Sequence, residues 1–119
     1  MIELQKEIDA KAVAPRITPA DIEANIVKEV YFTAAEGIAG HAKIADDYSK
    51  VINTEHTLLT FCVLTMRNGF TVTGESACAS PENFDAKIGR KIARENAIDK
   101  IWPLMGYELR TKLAGSKAR

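Results

Sequence analysis

The chain has no net charge: sixteen basic and sixteen acidic side chains cancel over 119 residues. Proteins that hold duplex DNA by its phosphates draw affinity from counterions displaced by Lys and Arg and are usually basic overall, so duplex DNA is a poor candidate partner. No apolar run approaches the roughly eighteen residues of a membrane-spanning helix. The opening residues, Met1-Ile2-Glu3-Leu4-Gln5-Lys6, carry neither the basic region nor the apolar stretch of a signal peptide; the expected setting is the cytoplasm, away from membranes. Cysteine is scarce, with two residues, and a two-residue loop at Asn68-Gly69 sets Cys62 opposite Glu75 and Cys78 opposite Leu59. That offset of three residues, about 10 Å along a strand, exceeds the roughly 7 Å limit for a disulfide, so two reduced thiols are expected.

What is present describes an ordinary folded domain, with 46% hydrophobic and 27% charged residues. The length suits a single α+β domain over 17–119, preceded by an N-terminal segment, 1–16. The charges are unevenly placed. Residues 1–60 hold ten acids and six bases, and residues 61–119 hold six acids and ten bases, which favours the two halves lying against each other.

Residues 1–12 carry Leu4, Ile8 and Ala12 at helical spacing and suit a short amphipathic helix. Thr18, Pro19 and Asp21 have the spacing of a capped helix start, and Ile22, Ile26, Val27 and Val30 form one stripe, so a helix over about 19–31 is expected. Residues 33–56, broken by Gly37, Gly40 and Asp46-Asp47, suggest a long irregular connection with a short helix around 40–52; residues 31–35 suit a short strand. The run 57–66 is rich in β-branched and aromatic residues, and Asn68-Gly69 before Phe70-Thr71-Val72-Thr73 signals a hairpin. In the two-residue register, Phe61, Val63, Thr65, Phe70, Val72 and Gly74 share one face, and Leu58, Thr60, Cys62, Leu64 and Met66 lie with Thr71, Thr73 and Glu75 on the other. The first strand is apolar on both faces, which a lone ribbon in water does not satisfy. A homo-oligomer, a dimer or a multiple of dimers, is therefore expected to complete the small antiparallel sheet. Ser80-Pro81 opens a long C-terminal helix whose buried stripe is Phe84, Ile88, Ile92, Ala97, Ile98 and Ile101, and Pro103 should kink or stop it near Ile101-Trp102.

Within that helix Lys87, Arg90, Lys91 and Arg94 fall at i, i+3, i+4 and i+7 and share one face. Arginine forks match phosphate oxygens and lysine adds a point charge, so the stripe is the leading candidate for a small anionic ligand, the competing reading being a solvated face partly neutralised by Glu95, Asp99 or acids of the N-terminal half. Asn83, with the aromatic faces of Phe70, Phe84 and Trp102, suits a base-bearing ligand, although Phe84 and Trp102 also suit the core. No catalytic motif accompanies these residues. Gly74-Glu75-Ser76-Ala77-Cys78 only superficially matches a nucleophile elbow, because Cys stands where Gly is needed. His41, Asp46, Asp47 and His56 match no metal-ligand spacing. No enzyme activity, metal or cofactor is expected.

The segments Leu59–Thr65, Asn68–Val72, Gly74–Cys78, Pro81–Asp85, Ile88–Ala93 and Trp102–Tyr107 resemble small accessory proteins of tailed phages, a family named after gene product forty-nine of a coliphage, over about residues 17–113. The hairpin followed by a C-terminal helix is also similar to the Thoeris anti-defence protein one group, phage sponges for cyclic ADP-ribose signals and, in some cases, cyclic oligonucleotides. That likeness implies an anti-defence oligomer in the infected bacterial cell that sequesters a cyclic nucleotide without turnover, with Arg90 and Arg94 on phosphate and Phe70 and Asn83 on adenine. The alternative is a protein-interaction module for a host or phage protein.

Overall fold

The computed structural model describes residues 2–11 and 14–117. Its elements are α1 (Ile2–Lys11), α2 (Pro19–Asn25), β1 (Ile26–Thr33), α3 (Ala34–Ala45), α4 (Thr54–Thr57), β2 (Leu59–Met66), β3 (Thr71–Ala77) and α5 (Ala86–Lys117). The architecture is α+β. Three antiparallel strands in the order β1-β2-β3 carry α5 on one face, with α2 beside it.

The helix expected over 19–31 is really two elements. Thr18 caps it as foreseen: its hydroxyl accepts from the Asp21 amide at 3.2 Å, and the Asp21 carboxylate accepts from the Thr18 amide at 2.9 Å. At Asn25 the chain leaves the helix, and Ile26–Thr33 pairs with β2, Val30 against Val63 and Phe32 against Phe61. Ile26, Val27 and Val30 fit a helical period, but a run this rich in β-branched and aromatic residues is equally suited to a strand, and a long-range partner decides between the two. Residues 33–56 are more regular than expected, because Thr33 and Glu36 form a second capping box that starts α3.

The hairpin loop has three residues, not two. The Gly69 amide donates to the Met66 carbonyl at 2.9 Å, the Met66 amide donates to the Phe70 carbonyl at 2.8 Å, and the Asn68 side chain accepts from the Phe70 amide. Gly69 takes the left-handed conformation, with φ at +88°, as the last position of such a loop requires. Cys62 consequently faces Gly74 rather than Glu75. A one-residue slip exchanges the faces of the partner strand: Val72 and Gly74 join Thr60, Cys62, Leu64 and Met66 on the helix side, and Thr71, Thr73 and Glu75 lie outside with Phe61, Val63 and Thr65. Cys78 sits beyond the end of β3, its amide bonded to the Leu58 carbonyl. That is four residues from Cys62 in register, and both thiols are free.

Helix α5 begins later than Ser80-Pro81, which instead lead into a single 3-10 turn over Pro81–Asn83. Asp85 starts the helix, its carboxylate accepting from the Lys87 and Ile88 amides at 2.9 and 3.1 Å. The helix continues through Pro103 to Lys117 rather than stopping near Trp102. Its buried row is Gly89, Ala93, Ala97 and Ile101, while Ile88 and Ile92 are exposed. The row is small because the sheet comes very close: a Cβ on Gly74 would stand 2.1 Å from the Ala93 carbonyl oxygen and 2.3 Å from the Ala97 nitrogen. Ile22, Cys62, Leu64, Met66, Val72 and Ile101 complete the core.

Candidate functional site

The cationic row on α5 divides where it meets the rest of the fold. Arg94 is one turn beyond Arg90 and leans over β1 and α2. Its two terminal nitrogens donate to both carboxylate oxygens of Glu23, at 2.6 and 2.9 Å, and its Nε donates to Glu29. The fork that would grip a phosphate is thus closed on carboxylates of the same chain. These hydrogen bonds hold the carboxyls of Glu23 and Glu29 below the usual carboxylate range, against a smaller opposing effect of burial. The Tyr31 hydroxyl donates to Glu29 at 2.9 Å. Burial first, and that carboxylate second, push the phenol well above its ordinary value, and burial likewise raises the Cys62 thiol below it. The acidic half of the chain does lie against the basic half, and among the described residues the ion pairs between them are those of Arg94.

Lys87, Arg90 and Lys91 stay exposed and, among the described residues, form no ion pair. Arg90 borders a cavity of about 140 Å³ shared with Tyr31, Thr33, Glu36 and Phe84, below the roughly 300–1,000 Å³ of a typical small-molecule site. Glu36 puts a carboxylate at the same rim, its oxygen accepting from the Thr33 amide at 2.8 Å. Asn83 and Phe84 border a second hollow, of about 280 Å³, with Cys78, Ile88 and Ile92.

Phe70 lies at the other end of the sheet. It borders a cavity of about 260 Å³ with Met66, Ile101, Leu104 and Met105, and an open groove of about 530 Å³ with Thr73, Lys100, Pro103, Leu104 and Tyr107. Leu104 is fourteen residues along α5 from Arg90, about 21 Å at helical rise. Within one chain, then, Phe70 does not share a pocket with Asn83 or Arg90. Trp102 packs against the core. The His56 ring accepts from the Asn53 amide, and no three His, Cys, Asp or Glu side chains gather as a metal site among the described residues.

Three contributors escaped the sequence reading. Glu23 and Glu29, the partners of Arg94, are six residues apart in elements whose boundary was misplaced. Asn96 donates its side-chain amide to the Glu75 carbonyl at 2.7 Å, capping the outer edge of β3. The apolar lining of the groove, Phe70, Leu104 and Tyr107, is 45–77% exposed. The signal for it was available: Leu104 and Tyr107 are i, i+3 neighbours on a helix face.

No helix among the described residues is long and apolar enough to cross a membrane. No curated protein and no solved structure matches the chain, and the likeness to Thoeris anti-defence protein one gains no support from them. One family model matches, over residues 17–113, which is most of the chain and includes every structural element from α2 to the greater part of α5. The chain belongs to the phage protein (N4 Gp49/phage Sf6 gene 66) family.

Proposed function

We propose that this phage protein works in the cytoplasm of the infected cell as a protein-interaction module, binding a host or phage protein without turnover. The observation that carries this reading is the groove between β3 and the second half of α5. Phe70, Leu104 and Tyr107 present aromatic and aliphatic surface there, Tyr107 at 77% exposure, with Lys100 on the rim. Exposed aromatics around a polar edge are the composition of interface anchors.

Sequestration of a cyclic nucleotide is the second reading, favoured by one observation: Arg90 keeps its guanidinium free at a hollow that also holds the Tyr31 and Phe84 rings. With Arg94 engaged by Glu23 and Glu29, that site needs residues from another copy to reach ligand size. The test separates the two. Tagged protein is recovered from phage-infected cells, as wild type and as Phe70→Asp with Tyr107→Asp. A stoichiometric protein partner held by wild type and lost by the variant supports the first reading. A partner held equally by both, or an intact nucleotide released on heating with no protein partner, overturns it.

A further inference from the structure

Helices α5 and α2 share one face of the sheet. The second face is open over its Lys28 and Val30 rows, and at its Phe32 end α3 meets it, where a Cβ on Gly37 would stand 3.6 Å from the Phe32 ring. By register, the open face carries the rows Lys28–Thr65–Thr71, Val30–Val63–Thr73 and Phe32–Phe61–Glu75. The centre is apolar, with Val30 40% exposed and the Phe32 and Phe61 rings 5.5 Å apart. Lys28 and Glu75 are exposed and, among the described residues, their side chains have no ion-pair or hydrogen-bond partner. They occupy diagonally opposite corners.

We propose that a second copy of this chain docks on this face about a two-fold axis, with Lys28 of each copy against Glu75 of the partner subunit. The charges select the axis. A two-fold along the strands would lay Lys28 over a threonine and Glu75 over a phenylalanine, and one across the strands would exchange those partners. Each buries two charges unpaired, a costly arrangement. The diagonal two-fold pairs both charges at the rim and brings Val30 and Val63 together at the centre, the self-complementary pattern of an isologous dimer. The two corners are two strand spacings, about 10 Å, and four residues, about 13 Å, apart. Exchanging them sets the two sheets' strands at roughly 70°, near the orthogonal class of sheet packing. Growth through the β3 edge is the less suitable route, because the Asn96 amide already occupies the Glu75 carbonyl there.

Sedimentation equilibrium of the full chain tests this. Wild type is expected at twice the 13.1 kDa chain mass. Lys28→Glu should weaken the dimer at least about tenfold, since both unlike pairs become like pairs, and adding Glu75→Lys should restore it to within about threefold. Val63→Asp should give monomer with an unchanged circular dichroism spectrum. If that variant unfolds, the charge pair decides alone, because both positions are solvent-exposed. A monomeric wild type, a Lys28→Glu variant that dimerises like wild type, or a double variant that stays as weak as the single one would overturn the proposal. The groove beside Tyr107 shares Thr71 and Thr73 with the edge of this face, but Phe70 and Tyr107 take no part in the charge pair, so loss of the dimer is read from the Lys28 and Glu75 variants and loss of a captured partner from Phe70→Asp with Tyr107→Asp.

Discussion

Gly74→Ala is the sharpest perturbation the fold offers. The added methyl would meet the Ala93 carbonyl oxygen at 2.1 Å, the Ala97 nitrogen at 2.3 Å and the Ala97 Cα at 2.9 Å. These are backbone atoms of a continuous helix, with no rotamer to change, so relief requires α5 to withdraw by about 1.5 Å to reach ordinary van der Waals separation. Cys62, Leu64 and Ile101, all fully buried, would then lose at least about half of their contact energy toward the helix or the sheet. Ordinary overpacking costs about 1–3 kcal/mol, and a clash between backbones belongs at or above that upper bound. A loss of about 3–5 kcal/mol would take a large share of the roughly 5–15 kcal/mol that holds a domain of this size together. Urea titration followed by circular dichroism reads it directly. Gly106→Ala is the control, since Gly106 lies in the same helix with nothing within 4 Å of an added Cβ, and it should stabilise by up to about 1 kcal/mol. A Gly74→Ala protein within 1 kcal/mol of wild type would refute the close approach itself.

Arg94→Ala should cost about 1–2 kcal/mol at neutral pH, a modest figure because Glu23 and Glu29 are 54% and 39% exposed and water screens the pairs. Both carboxyls titrate below their ordinary 4.5, so their contribution is complete above that value and is lost as pH falls through the lowered one. The wild type's advantage should hold from pH 7 to about 5 and narrow steadily as pH falls further; a gap that does not change across thermal melts over that range would exclude the ion pair as its source. Asp85→Ala removes the acceptor of the Lys87 and Ile88 amides and should lower stability by about 1 kcal/mol in urea titration, with Asp85→Asn recovering most of it. Pro103→Ala gives the Asp99 carbonyl a helical donor and should raise the melting temperature, by about 1–3 kcal/mol in stability; a lower melting temperature would mean the proline shape is needed for packing.

Legibility followed the range of the interactions. Signals confined to a few neighbouring residues were readable: the capping box at Thr18 and Asp21, the hairpin at Asn68-Gly69, the long C-terminal helix. The hairpin register was misread because Asn-Gly serves two loops. It fits a two-residue turn, and it also fits a three-residue loop in which Gly69 alone needs positive φ; the choice rests on Arg67, whose amide bonds Asn25 in a distant element. Residues 26–33 were misassigned for a related reason, since their apolar positions satisfy both periods and only the pairing with β2 decides. The cationic stripe was correctly placed on one helix face, but whether each guanidinium was free depended on acids about seventy residues away, a fact carried by tertiary structure alone.

The misplaced helix stripe carries the furthest consequence. Ile88 and Ile92 have the size and spacing of core residues, and Gly89, Ala93 and Ala97 do not, so hydrophobic periodicity turns the helix about a quarter-turn from its true orientation. The fold prefers the small row because a strand with Gly74 at its centre can approach a helix backbone closely, burying main chain against main chain and filling the core with few large side chains. The large aliphatics are then displaced outward: Ile88 is 54% exposed and Ile92 45% exposed, on the flank of α5, while Val30 and Val63 remain on the far side of the sheet. A tight two-layer core and uncovered aliphatic surface are thus one structural choice. It leaves the chain with apolar area on more than one side, which a protein that functions through association can use and a self-sufficient monomer would have little reason to retain.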